Sequence, residues 1–171
     1  RLRPFERRLC EAYMITIITN IDKLRIKRMC YQFSKASMNN MKGVHPELVV
    51  IMQEAIKNSL IDFGVPSTGG VRTAAQQKAL FDVDKSDCDG KVKLSMHQLK
   101  KDGYGHAVDF YAYVNGEASY DRVHLGMVAS VIMSTAKRLK KAGKVSIELY
   151  WGGQFASSDF KGWDYPHIEI S

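Results

Sequence analysis

The chain has 171 residues, enough for one substantial core, and its 45% hydrophobic and 25% charged residues are ordinary for a globular domain. Its longest apolar stretch, Tyr13 to Ile21, is interrupted by Asn20 and followed by Asp22, which excludes a membrane-spanning helix there. Of the net charge of +7, residues 1–33 contribute +5 through eight Lys/Arg against three Asp/Glu, so the basic balance belongs to a terminal extension and gives no reason to expect a nucleic-acid partner for the remainder.

In chain order, residues 1–33 form this basic extension, helical or non-native, without the clean apolar stretch and small-residue cleavage site of a secretory signal. A single domain is expected over residues 34–171. His45-Pro46-Glu47 opens a helix with Leu48, Ile51, Met52, Ala55, Ile56, Leu60 and Phe63 on one face and Gly64 as its stop. Pro46 suits a first turn, where its missing N–H is harmless, and Glu47 complements the helix dipole there. After the turn-rich Pro66 to Gly70, a short helix is predicted over Ala74 to Phe81.

Residues 82–106, rich in Asp, Lys, Gly and Ser, read as a long loop, and long loops in compact domains commonly carry function. A strand is expected from Ala107 to Val114, then a turn at Asn115-Gly116, and a helix from about Tyr120 to Ala142 with Val123, Met127, Val128, Val131, Ile132 and Leu139 inward. Strands over Val145 to Trp151 and His167 to Ile170 bracket a Gly- and aromatic-rich loop. The expected class is therefore α+β, a small antiparallel sheet packed against helices.

Cys10, Cys30 and Cys88 are odd in number and lack a Cys-x-x-Cys pair, so they read as free thiols, with a Cys10–Cys30 bridge left open. Asp82, Asp84, Asp87 and Asp89 are spaced somewhat like a calcium loop, but Asp87 stands where an EF-hand needs glycine and the closing Glu is missing, which favours a solvated acidic loop.

Two segments carry metal-type chemistry. The first is Ser95-Met96-His97 followed by Gly105-His106-Ala107-Val108-Asp109; the second is Asp164-Tyr165-Pro166-His167. They supply two imidazoles, a carboxylate ligand and a spare carboxylate, a set suited to catalytic zinc with three protein ligands and an open position. Such an ion acidifies water and polarises a carbonyl, a separate carboxylate must move the proton, and a cation such as Arg72 must offset the developing negative charge. From residue types alone, satisfied hydrogen bonds remain the commoner role for such residues.

These motifs, with Gly43-Val44-His45-Pro46-Glu47-Leu48, Gly69-Gly70-Val71-Arg72-Thr73 and Trp151-Gly152-Gly153, resemble the LAS-type zinc peptidases over roughly residues 33–171. That family comprises D-alanyl-D-alanine carboxypeptidases, D-Ala-D-Ala dipeptidases and phage L-alanyl-D-glutamate endolysins. The resemblance implies one zinc ion per chain on His97, Asp109 and His167, Asp164 as general base, and Arg72 as stabiliser of substrate and transition state. Gln76 either orients Arg72 or touches substrate, or is simply an exposed helix residue; Trp163 and Tyr165 are candidates to line the substrate groove, and Trp151 to pack in the core.

The His97-to-Asp109 interval is longer than the family's usual one, and Leu99 to Gly103 reads as a loop insertion, with His106 a neighbour rather than a ligand. His45 and His124 read as structural residues of their helices. The implied activity is endopeptidase cleavage of a peptidoglycan stem peptide at L-alanyl-D-glutamate, by a monomer made in the host cytoplasm and acting on the wall after release. The alternatives are D-alanyl-D-alanine carboxypeptidase activity, or a wall- or nucleic-acid-binding module with structural zinc.

Overall fold

A computed structural model describes residues 30–155 and 162–171. The expected extension up to residue 29, including Cys10, and residues 156–161 of the aromatic-rich loop lie outside them. Helix α1 (Lys35–Asn40) is capped by Ser34, whose hydroxyl accepts the Ser37 N–H at 3.1 Å. Helix α2 (Pro46–Asn58) begins as expected, with Pro46 in its first turn and His45 Nδ1 accepting the Glu47 N–H at 3.3 Å, which gives His45 its structural role. Leu48, Ile51, Met52, Ala55 and Ile56 are buried on one face.

The helix does not continue through Leu60 and Phe63. At Ser59 the backbone becomes extended, and the Ser59 hydroxyl donates to the Ile61 carbonyl at 2.6 Å. Leu60 is left 82% exposed, while Phe63 is buried as part of strand β1 (Asp62–Gly64).

Helix α3 (Ala74–Phe81) opens with a reciprocal capping box between Thr73 and Gln76. The expected strand from 107 to 114 is two strands, β2 (Ala107–Asp109) and β3 (Tyr111–Val114). Fully buried Phe110 marks the change, with its N–H donated to the Pro166 carbonyl at 2.9 Å. A hairpin follows to β4 (Glu117–Ser119) across Asn115-Gly116, both at positive φ, the backbone that two-residue hairpin turns demand and that Asn and Gly tolerate best.

Helix α4 (Arg122–Lys141) is capped by Asp121, which accepts the Val123 and His124 N–H groups. Its inward stripe is Leu125, Val128, Ala129, Ile132, Thr135, Ala136 and Leu139, so Val123 and Met127 belong to the exposed side. The alanines let α2 and α4 approach, and the stripe is centred on small side chains that a count of large apolar residues passes over. His124 accepts or donates a hydrogen bond at Ser119 Oγ (2.9 Å). Gly143, at positive φ, ends the helix.

Strand β5 spans only Leu149–Trp151, shorter than the expected Val145 to Trp151, and β6 spans His167–Ile170. Among the described residues the strands pair antiparallel, as expected for this α+β chain, but in two three-stranded sheets, β1-β3-β4 and β2-β6-β5. Between them and the α2–α4 pair lies one apolar core, joined by Tyr31 and Phe33 from the chain before α1. Each fully buried aliphatic side chain there contributes about 1.5–3 kcal/mol. Among the described residues Cys30 and Cys88 form no disulfide. Among the described residues no helix is long and apolar enough to cross a membrane.

Candidate metal centre

Antiparallel pairing of β2 with β6 sets Asp109 directly opposite His167. Residues so paired have side chains on the same face of the sheet. The third group, His97, comes from the loop before β2 and is buried. Its N–H is donated to Ser95 Oγ at 3.2 Å, and its carbonyl accepts the Arg72 N–H at 3.0 Å. The ordered pair Gly69-Gly70 ties these pieces together, since the Gly69 carbonyl accepts the Asp109 N–H at 2.7 Å and the Gly70 carbonyl lies 2.8 Å from His97 Nδ1. A Cβ on Gly70 would stand 1.8 Å from the Asn40 carbonyl oxygen, so the chain passes there only as glycine.

One ligand-type atom from each of His97, Asp109 and His167 lies within 4.8 Å of the others, the only such group of three among the described residues. Asp109 Oδ1 is 3.2 Å from His97 Nε2 and 2.9 Å from His167 Nδ1, and the two ring nitrogens are 3.3 Å apart. The residues fit a metal ion held by three protein ligands. Each imidazole turns one nitrogen inward while the other is engaged elsewhere, His97 Nδ1 at the Gly70 carbonyl and His167 Nε2 at Glu169 Oε2 (3.0 Å).

The electrostatics match. Burial opposes ionisation of Asp109, but the two imidazoles outweigh it and hold its carboxyl well below the usual carboxylate range. For His167, burial disfavours the cation, yet hydrogen bonds to Asp109 and Glu169 prevail and raise its pKa to about 9. Arg72 forms an ion pair with Asp109 Oδ2, and its Nε donates to the Thr68 carbonyl at 2.8 Å. Asp164 stands beside the group, its Oδ2 4.0 Å from His167 Nδ1, and burial pushes its carboxyl above the usual Asp value. Gly152 makes room for it, because a Cβ there would meet the Asp164 carbonyl oxygen at 2.2 Å.

These groups open into a cleft of about 510 Å³ lined by Leu80, Leu94, Met96, Phe155 and Trp163 and by Lys85 and Lys93. Trp163 is half exposed and leans on Phe155. Two residues expected at substrate lie elsewhere. Tyr165 packs edge-on against Trp151, whose indole N–H donates to the Tyr165 carbonyl, and sits under the Arg122 guanidinium, outside the cleft lining. Gln76 is exposed and its side-chain oxygen accepts the Thr73 N–H at 2.8 Å, so the capping box uses it.

The neighbouring Gln77, not among the residues expected at the site, is fully buried. It accepts from Arg72 Nη1 at 3.5 Å and donates to Ser86 Oγ and the Cys88 carbonyl, linking Arg72 to the cleft wall. The available signal was the Thr73-x-x-Gln76 cap, which commits Gln76 and leaves its neighbour to face inward. Glu169 carries a similar signal, since its place two residues after His167 on a strand puts both on one face.

His106 stands outside the ligand group, hydrogen-bonded to Asp102 Oδ2 at 2.7 Å. Leu99 to Gly103 closes on itself: the Lys100 N–H donates to the Tyr104 carbonyl and the Gly103 N–H to the Lys100 carbonyl. In the acidic loop, Asp89 Oδ1 accepts three successive N–H groups, those of Lys91, Val92 and Lys93, and Asp82 pairs with Lys78.

A family model described as phage L-alanyl-D-glutamate peptidase matches residues 29–171. Among solved structures, the crystal structure of the Serratia marcescens L-Ala D-Glu endopeptidase ChiX is similar, with a TM-score of 0.63 and 25% identity, covering 85% of this chain and 94% of that one. No curated protein sequence matches.

Proposed function

Because the chain belongs to the phage L-alanyl-D-glutamate peptidase family, we propose that its cleft hydrolyses the L-alanyl-D-glutamate bond of bacterial peptidoglycan stem peptides with one zinc ion held by His97, Asp109 and His167. The observation that carries this reading is the convergence of those three side chains at the base of a cleft that also holds a partly buried carboxylate, Asp164, and a guanidinium, Arg72. When bound, zinc lowers the pKa of water and polarises the scissile carbonyl.

Asp164 takes the proton of the attacking water on its carboxylate and delivers it to the departing D-glutamate nitrogen. Its raised pKa suits both halves of that transfer. Arg72, on the Asp109 side of the site, offers N–H groups to the carbonyl oxygen as charge develops on it. Gln77 holds Arg72 from behind. Trp163 and Phe155 supply an apolar wall that limits water, and Lys85 and Lys93 suit a substrate bearing free carboxylates. A single chain supplies every one of these groups, so a monomer suffices. The same reading places its action at the cell wall, after release from the host cytoplasm.

Defined stem peptides incubated with the zinc-loaded protein and analysed by mass test this. Products split between L-Ala and D-Glu are expected; release of terminal D-Ala with that bond intact would overturn the assignment in favour of a carboxypeptidase.

A further inference from the structure

Along β6 the side chains alternate. Ile168 and Ile170 enter the core, while His167 and Glu169 share the face toward the cleft. His167 is thereby set between two carboxylates, with Asp109 Oδ1 2.9 Å from Nδ1 and Glu169 Oε2 3.0 Å from Nε2. The other imidazole is held differently, its Nδ1 resting at a neutral backbone carbonyl and its Nε2 facing the convergence point. The two histidines therefore present opposite nitrogens, and each choice is set by what holds the outer one.

Among the described residues, this contact is the one polar use of Glu169. Its cross-strand partners are Ala107 and Tyr150, neither of which offers a cation, and among the described residues its carboxylate makes no other hydrogen bond or ion pair. It also lies on the outer side of the His167 ring, away from the convergence point, and so cannot take the proton that Asp164 is placed to receive.

We propose that Glu169 is a positioning residue for the metal: by accepting the His167 Nε2–H it locks the imidazole with Nδ1 directed at the ion and makes that nitrogen a stronger donor. This rests on the zinc reading above. Carboxylates so placed behind a metal-bound histidine typically change metal affinity about 10–100-fold when removed.

The test compares wild type, Glu169→Gln and Glu169→Ala by zinc competition with a chromophoric chelator, with circular dichroism as the check on folding. Loss of about 10–100-fold in zinc affinity is expected for the alanine variant. The glutamine variant, whose amide oxygen can still accept the Nε2–H, should fall between the other two, and it keeps the test open if alanine disturbs folding. Nitrogen-15 histidine spectra of the zinc-loaded protein supply a readout that strand stability alone would not move: a slowly exchanging Nε2–H at His167 in wild type, lost in Glu169→Ala. Equal zinc affinity in all three proteins, with the Nε2–H still protected in the alanine variant, would overturn the role of Glu169 alone. A folded wild type that fails to bind zinc would overturn the zinc reading and this inference with it.

Discussion

Asp164→Asn replaces the proposed proton acceptor by a group of nearly the same shape. Asp164 Oδ2 lies 4.0 Å from His167 Nδ1, against 2.9 Å for Asp109 Oδ1, so it stands beside the ligand triangle rather than in it. Zinc content should therefore be retained. A positioned acid-base group contributes about 10²–10⁴ in rate, or ~2.7–5.4 kcal/mol of barrier at about 1.36 kcal/mol per decade. The loss should appear in kcat, measured on a defined stem peptide with metal content determined on the same sample. Burial raises the Asp164 pKa, so the acid limb of kcat/KM in wild type should lie above an ordinary aspartate value and vanish in the variant. Zinc lost together with turnover would move Asp164 into the ligand set, and a loss of turnover below about tenfold would refute its role as the base.

Zinc binding should release a proton at neutral pH. The His167 pKa, raised from 6.5 to about 9, keeps the metal-free imidazole charged between its two carboxylates, and zinc must displace the Nδ1 proton. Calorimetry in buffers of different ionisation enthalpy should find about one proton released near pH 7, fading as pH passes the folded value. By the same linkage, this group stabilises the metal-free fold fully below 6.5, and that contribution is lost as pH rises through about 9, which thermal melts of the apoprotein should register. Gly70→Ala forces its Cβ into the Asn40 carbonyl and should destabilise the fold by about 1–3 kcal/mol in denaturant titrations, with weaker zinc binding because the Gly70 carbonyl holds His97. Removing residues 1–28, which precede the family match, should leave stem-peptide hydrolysis intact. Removal through residue 33 should cost roughly 1 kcal/mol or more in the same titrations, because it deletes the edge-on contact of Phe33 with Phe63, whose centroids are 5.3 Å apart.

What could be read from the sequence was whatever is encoded locally. His45-Pro46-Glu47 specifies a helix start through capping chemistry within a few residues, and α2 begins there. The end of that helix and the inner face of α4 were less legible, because Leu60, Val123 and Met127 are apolar yet stay outside, and only the partner surface decides which stripe is buried. The division of residues 107–114 at Phe110 was hidden for the same reason: one continuous apolar alternation feeds two sheets whose partners, β6 and β1, are remote in sequence. At the candidate metal centre the chemistry-bearing residue types are visible in the sequence, and the structure brings His97, Asp109 and His167 together. Gln77 and Glu169 were not singled out, since a buried amide and a strand carboxylate gain meaning only from the groups beside them.

The long interval between His97 and Asp109 shows why some changes of length leave such a centre intact. His97 is fixed from its N-terminal side and from across the fold: Ser95 caps its N–H, Arg72 occupies its carbonyl and Gly70 holds its ring. Asp109 is fixed by Gly69 and by its pairing with β6. Between them, Gly105 is tied to Gly43 and His45, so residues 99–104 bulge outward from an anchored base. Added residues there cost only the slowly growing entropy of a longer loop. A single inserted residue between Gly69 and Arg72 would act otherwise, because consecutive backbone groups of that segment hold both side chains in register.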